Sequence, residues 1–456
     1  QDESQADDTG PDTGSEILDE AEDREESIEL GRVQVTGSLL KREDFESTSP
    51  MQVIDAQTQF RAGQLTAAQI LQTSTLAAGN PQLNNQFVGF VVQGGVGVQT
   101  LDLRGLGATR TLVLLNGRRP GGSGTRGQVS ALDLATIPDL AIQRFEIVAD
   151  GSSSLYGSDA ISGVANVISK RSVDETEVSA VVNVPIDGGG EFYQVGLITG
   201  ANFDNGSLMF SAQYSKLEPL RVRDRDRLNC ELDLVTNGEG QNIDREDRSI
   251  TAGTPLSPCG NLYANTVIDQ GFGDRYVPAP DGVTIGPIAG YRPRDNGTYA
   301  NGGQAFYEDV LNFDFINNTT AINEQERLNI YATADFTFGN VDWDAELLYS
   351  SRETTAENWR QFFPLIGGSN AAELFGFPPY AYANDPDYNP NDPADPFTLA
   401  LSQPVYPYPS NSGADVKFYY FTTGLSGVFN TSNYWDWQVY GTYSYSDGDY
   451  FGNSIN

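Results

Sequence analysis

Histidine is absent from this chain of 456 residues, and only two cysteines and two methionines occur. Without an imidazole there is no His-based zinc site and no His-dependent triad. No uninterrupted apolar run reaches the roughly 18 residues that a transmembrane helix needs. That leaves a protein outside the bilayer or a β-barrel, whose strands carry a much weaker signal. Positive charge is scarce: 27 Lys and Arg stand against 62 Asp and Glu, for a net charge of −35. Phosphate binding needs a basic face, so a nucleic-acid partner does not fit this balance. The chain opens Gln1-Asp2-Glu3 with no signal peptide, and a processed mature form is expected.

What is present begins with an acidic tail. Residues 1–30 hold thirteen acidic side chains and one basic one, Arg24. Such a segment buries too little apolar surface to offset its ordering entropy, and disorder is expected over 1–29. Next comes Leu30–Gly37, LGRVQVTG, whose Val33, Val35 and Thr36 favour an extended backbone. An extended segment at a flexible end is suited to pair as an added strand in a partner's sheet. An ordinary edge strand reads the same way.

Two later segments carry the most information. Leu101–Arg119 reads LDLRGLGATRTLVLLNGRR, and Ala141–Lys170 reads AIQRFEIVADGSSSLYGSDAISGVANVISK. Leu101 and Leu103 read as one short strand and Thr111–Leu115 as a second, the latter apolar throughout as if buried on both faces. Asn116-Gly117 is a strong turn signal. Phe145–Val148 and Val164–Ile168 read as further strands, with one helical turn at Ser152–Tyr156. Upstream, Met51–Ile54 reads as a strand. Asp55 is placed to cap a helix over Ala56–Arg61, and Thr66 a second over Ala67–Gln72.

From residue 172 the pattern changes to long alternation. Leu208, Phe210, Ala212 and Tyr214 alternate with Ser207, Ser211, Gln213 and Ser215. Seven such strands are expected, at about 176–184, 191–201, 207–218, 327–338, 341–352, 415–428 and 434–446, the sixth with a slip in phase. One face is apolar and aromatic and the other polar, the period-2 code of a lipid-facing barrel with a wet lumen. Tight links at Asp204-Asn205, Gly339-Asn340 and Thr431-Ser432 fall on one side. The long connections 219–326 and 353–414 fall on the other. Phe336, Phe338, Trp343, Trp435 and Trp437 lie near the short-turn side, where an aromatic girdle belongs.

The two motif segments, in this order, resemble the plug of the TonB-dependent outer-membrane receptors. The resemblance implies an α+β plug domain followed by antiparallel transmembrane β-barrel strands. It divides the chain into a disordered tail (1–29), a TonB box (30–38), a plug (39–171) and the N-terminal part of a barrel (172–456). The family's barrel has about twenty-two strands, so the chain is expected to be about half of a longer protein or one half of a split receptor. The implied activity is not enzymatic. It is active import of a nutrient across the outer membrane of a Gram-negative bacterium, with ligand-triggered release of the plug. A plugged passive or adhesive barrel is the alternative. The implied partners are a TonB-type periplasmic coupling protein, outer-membrane lipid, and an oligosaccharide, peptide or siderophore. A surface lipoprotein capping the barrel is a further partner that the resemblance allows.

Residue roles follow the same resemblance. Arg32, Val33, Gln34, Val35, Thr36 and Gly37 form the coupling strand. Arg104 and Glu146 are expected in ion pairs that hold the plug in the barrel. Asn84, Asn85, Phe87, Phe90, Arg118, Arg119 and Arg126 lie on segments that resemble apical plug loops. They are candidates for ligand contact, together with Trp359 and Tyr382 of the third extracellular loop. In an exported protein the pair Cys230 and Cys259 is expected to form a disulfide. No resident cofactor is expected. Asp385, Asp387, Asn389 and Asn391 form an oxygen-rich run that suits calcium or, equally, a turn-rich linker.

Overall fold

The computed structural model describes residues 33–34, 41–42, 51–80, 82–85, 94–124, 131–149, 153–225, 228, 267–269, 275–278, 291–293, 318–362, 366–367, 401–404, 406–430 and 434–454. Two bodies of structure stand out: a small α+β unit and a broad antiparallel sheet that curves against it.

The small unit has four strands, β1 (Met51–Asp55), β2 (Thr111–Leu115), β3 (Ile142–Val148) and β4 (Gly163–Ser169), in the order β1-β3-β4-β2. Only β2 and β4 run parallel. Every residue of β2 is buried. Val113 and Leu115 enter the main core, while Leu112 and Leu114 pack with Ala160 and Val164 on the other face. The helices are α1 (Ala56–Arg61), α2 (Ala67–Gln72) and α3 (Ser153–Tyr156). The expected caps form: Asp55 Oδ1 accepts from Thr58 N at 2.7 Å, and Thr66 Oγ1 accepts from Gln69 N at 3.2 Å. Helical spacing then turns Ala67, Ala68, Ile70 and Leu71 inward and leaves Gln69 outside. Phe145 and Ile147 are fully buried beneath them, each contributing roughly 1.5–3 kcal/mol.

After β2 the chain reverses at Asn116-Gly117, with φ of 49° and 79°. That conformation matches a hairpin turn, and glycine adopts it without a Cβ penalty. The strand expected at Leu101–Leu103 is not formed. Asp102 N donates to Gln82 Oε1 at 2.8 Å and Leu103 N to Thr111 Oγ1 at 3.0 Å, so side chains take the place of a ladder.

The broad sheet contains all seven expected strands, and most are longer than the sequence suggests. They are β5 (Glu177–Asn183), β6 (Phe192–Phe203), β7 (Gly206–Leu217), β8 (Glu324–Phe338), β9 (Val341–Ala356), β10 (Ser412–Asn430) and β11 (Tyr434–Gly452). Each pairs antiparallel with the next. Asp204-Asn205 and Gly339-Asn340 make the tight links. Among the described residues no helix is long and apolar enough to cross a membrane.

The outward face carries Leu208, Phe210, Tyr214, Leu347, Phe421 and Tyr443, all more than a third exposed. Phe336 lies 5.9 Å from Phe203 and 6.0 Å from Trp343, and Phe429 lies 5.8 Å from Trp437, beside the tight links. Toward the opposite end a charged row crosses the same face in register: Lys216, Glu326, Glu353, Asp415 and Asp449. The inward face meets the small unit. The slip of phase in β10 has its cause here: Phe418 and Tyr420 point inward into the shared apolar core, so both faces of that strand are apolar.

Candidate functional site: the seat between plug and wall

The inward face of β8 and β9 places Arg327 directly opposite Arg352. Both are buried, and both reach the carboxylate of Asp133, which is 2% exposed. Asp133 Oδ2 accepts from Arg352 Nη1 at 2.6 Å and from Arg327 Nη1 at 3.3 Å. Its Oδ1 accepts from Gln99 N and Ala135 N. The same arginines donate to Gly94 O and Gly97 O, and Gln325 Nε2 donates to Gly97 O at 2.9 Å. Gly97 has φ +81°, and a Cβ there would overlap Thr354 and Gln325. A glycine is therefore required where this turn meets the wall.

Two further clusters, at Arg118 and Arg171, tie the small unit to the wall. Arg118 Nη1 lies 2.5 Å from Asp344 Oδ2 and donates to Thr422 Oγ1 at 3.0 Å, with its guanidinium 5.0 Å from the Tyr440 ring centre. Arg171 Nη2 donates to Glu346 Oε1 at 2.7 Å and Nη1 to Asp335 Oδ1 at 3.2 Å. Tyr331 OH bridges Glu346, Ser169 and Asn116. Asp139 forms a polar anchor of a different kind. Its carboxylate accepts from Ala67 N, Gln213 Nε2 and Gln194 Nε2. Burial pushes its pKa up to about 6, against the opposing effect of these hydrogen bonds.

By contrast, no hydrogen bond or ion pair among the described residues ties Met51–Gln72 to the wall. Beyond it, Asn85 and Asn323 pair across the boundary, with Nδ2-to-carbonyl distances of 2.7 and 2.6 Å. Asn85, Arg118, Asp133 and Arg171 thus seat the small unit firmly, whereas Met51–Gln72 has no such tie among the described residues.

The expected site residues distribute as follows. Val33 and Gln34 form a two-residue strand paired with Lys41–Arg42, separate from both larger sheets. Arg32, Val35, Thr36 and Gly37 lie outside the described residues, as do Phe87, Phe90, Arg126, Tyr382, Cys230, Cys259 and the run Asp385, Asp387, Asn389 and Asn391. Glu146 is fully buried and pairs with Arg144 of its own strand at 2.8 Å. Arg104 is exposed and makes no ion pair among the described residues. Arg118 belongs to the seat rather than to a ligand surface, because the wall's Asp344 holds it in a buried pair. Arg119 pairs with Asp159 at 2.6 Å within the plug. Asn85 is buried against Asn323, Asn84 is half-buried, and Trp359 lies on a short pair with Tyr406–Pro409. The pairs missed from the sequence, Asp133 with Arg327 and Arg352 and Arg171 with Glu346, join residues far apart in the chain. The only local sign was an arginine on the polar side of an alternating strand.

Parts of this chain resemble known proteins. Residues 43–164 match the family model of the TonB-dependent Receptor Plug Domain. The iron-regulated outer membrane virulence protein of Vibrio cholerae is 31% identical over 147 residues, which is 31% of this chain and 22% of that protein. Among solved structures, the ferric enterobactin receptor of Pseudomonas aeruginosa superposes with a TM-score of 0.38 at 16% identity, over 87% of this chain and 49% of that one. The ferric-catecholate import receptor Fiu of E. coli gives 0.37 at 13%, over 90% and 51%. The chain spans about half the length of those two structures. The family consists of receptors and transporters, not enzymes. Residues 43–164 of this chain thus form a plug domain of the TonB-dependent receptor type.

Proposed function

We propose that this chain supplies the plug and part of the barrel wall of an energy-coupled importer for a nutrient: an oligosaccharide, a peptide or a siderophore. The coupling strand occupies 30–38, the plug 39–171 and the wall 172–456. The observation that carries the reading is the uneven attachment of the plug. Three ionic clusters, at Arg118, Asp133 and Arg171, hold the plug against the wall. The segment Met51–Gln72, next to the coupling strand, has no polar tie to the wall among the described residues. Force applied at Val33–Gln34 reaches β1 first. That edge strand buries only Ile54 of its five residues.

Ligand at the extracellular face shifts the population toward a free coupling strand. A TonB-type periplasmic protein pairs with that strand by adding an edge to its own sheet. Pulling then peels β1 from β3, one backbone pair at a time, and carries α1 and α2 with it. The remaining strands stay seated, which confines the opening to one side of the lumen.

Deleting Arg32–Gly37 tests this reading. Energy-dependent uptake should fall to background while ligand binding at the cell surface stays at the parental level. Undiminished uptake by the deletion variant would favour a passive plugged barrel.

A further inference from the structure

A cavity of about 510 Å³ lies between α2 and the inward face of β6–β8, toward the end of the wall away from the tight links. We propose that it is a binding site for an uncharged, hydroxyl-bearing ligand unit of one or two sugar rings. Its volume falls within the range of small-molecule sites. The plug contributes Gln69 and Gln99, and the wall contributes Asn183, Gln213, Ser215 and Phe192.

Charge and hydrogen-bond capacity define the ligand class. Two ionised groups border the cavity, and each already has its partners. Arg327 is held by Asp133, Gln325 and Gly97. Asp139 is held by Ala67 N, Gln213 and Gln194. Arg352 shares Asp133 with Arg327, and Asp139 offsets the second positive charge, so the four groups sum to zero. The side chains of Gln99, Asn183 and Ser215 line the space and make no hydrogen bond among the described residues. Gln69 uses its Oε1 on Leu65 N, which leaves its amide N–H groups free. Amides and hydroxyls both donate and accept, as ring hydroxyls do, and Phe192 adds an apolar surface. An anion would need a free cation here, and a wholly apolar ligand would strand these amides without partners.

The site also has a built-in exit. One of its sides is α2, which belongs to the loosely attached part of the plug. This step rests on the import reading above: when Met51–Gln72 is withdrawn, that side leaves and the bound unit is released inward. Binding itself requires no energy source, so the two readings fail separately.

The test uses the purified receptor without any coupling partner. Calorimetry measures the binding of maltose, sucrose and chitobiose, with citrate as an anionic comparator. At least one sugar should bind the parent, unaffected by ionic strength, while citrate should not. Ser215→Trp, which projects a bulky ring into the cavity, should weaken that binding at least tenfold. Gln99→Leu, which removes one amide with little change of volume, should weaken it severalfold and serves if Ser215→Trp fails to fold. The proposal is overturned if no sugar binds the parent, if citrate binds in their place, or if the folded variants bind as the parent does. Sugar binding with normal uptake in the Arg32–Gly37 deletion would refute energy coupling and leave the site intact.

Discussion

Replacing Asp133 with asparagine should loosen the plug more than any other single change in the seat. The carboxylate serves two buried guanidinium groups, with side-chain exposures of 5% for Arg327 and 3% for Arg352. Asparagine keeps one oxygen for Gln99 N and Ala135 N, but its amide N–H groups then face donors. Two cations are left side by side in a poorly solvated gap, and Arg352 Nε already lacks a partner. Removing one member of a buried ionic cluster costs about 3–5 kcal/mol. At about 1.4 kcal/mol per tenfold change, the seated fraction falls by roughly two to three and a half decades. The assay is conductance across planar bilayers containing the receptor, titrated with urea. With a slope of roughly 2 kcal/mol per molar, the onset of plug release should move down by about 2 M. The double variant Asp133→Asn with Arg352→Met should recover part of the loss, because it removes one uncompensated charge. An onset within about 0.3 M of the parent, on a slope of that size, would refute the claim that this carboxylate carries the seat.

Two other predictions follow from the same geometry. Arg118→Ala should make the receptor leaky to large solutes, because it strands Asp344 and uncovers Tyr440, whereas Arg104→Ala should leave permeability unchanged; liposome swelling distinguishes them, and the reverse order would mean that Arg104 bears the load. Asp139 gives a pH dependence whose sign is fixed by its raised pKa. Folding favours the protonated form, so its contribution to seating is complete below the ordinary value of 3.8 and is lost as pH rises through about 6. The urea onset should therefore fall across that window, and Asp139→Asn should flatten this part of the profile; an unaltered profile in the variant would assign the dependence to other groups.

The parts of this molecule that were legible in the sequence are those encoded locally. Asp55 and Thr66 announce their helices because capping needs only a side-chain oxygen within three residues. The wall strands are legible because lipid and lumen impose opposite demands on alternate residues. The tight turn at Asn116-Gly117 is legible because few residues accept a positive φ. The seat was not legible. Asp133 and Arg352 meet across 219 residues, and no local pattern tells a seat-forming arginine from one that faces open lumen. Glu146 and Arg104 show the converse: a motif position names a residue without naming the partner this chain gives it. The missing strand at Leu101–Leu103 has the same origin, since its amides are satisfied by Gln82 and Thr111, residues that no alternation rule would connect.

The outward face of β9 also fixes a length. Trp343 stands in the aromatic cluster beside the tight links and Glu353 in the charged row, ten residues further along the strand. At about 3.3 Å per residue and a tilt of about 40°, the interval between them is about 25 Å along the membrane normal. That interval is a gauge of hydrocarbon thickness. In a bilayer with a core of about 30 Å, either the carboxylates or the indole rings would be drawn into acyl chains, at a cost of fractions of a kcal/mol for each ångström of mismatch. A thin membrane removes that tension. The outer membrane is the thinner of a bacterium's two, so the spacing of two rows of side chains is itself part of the protein's address.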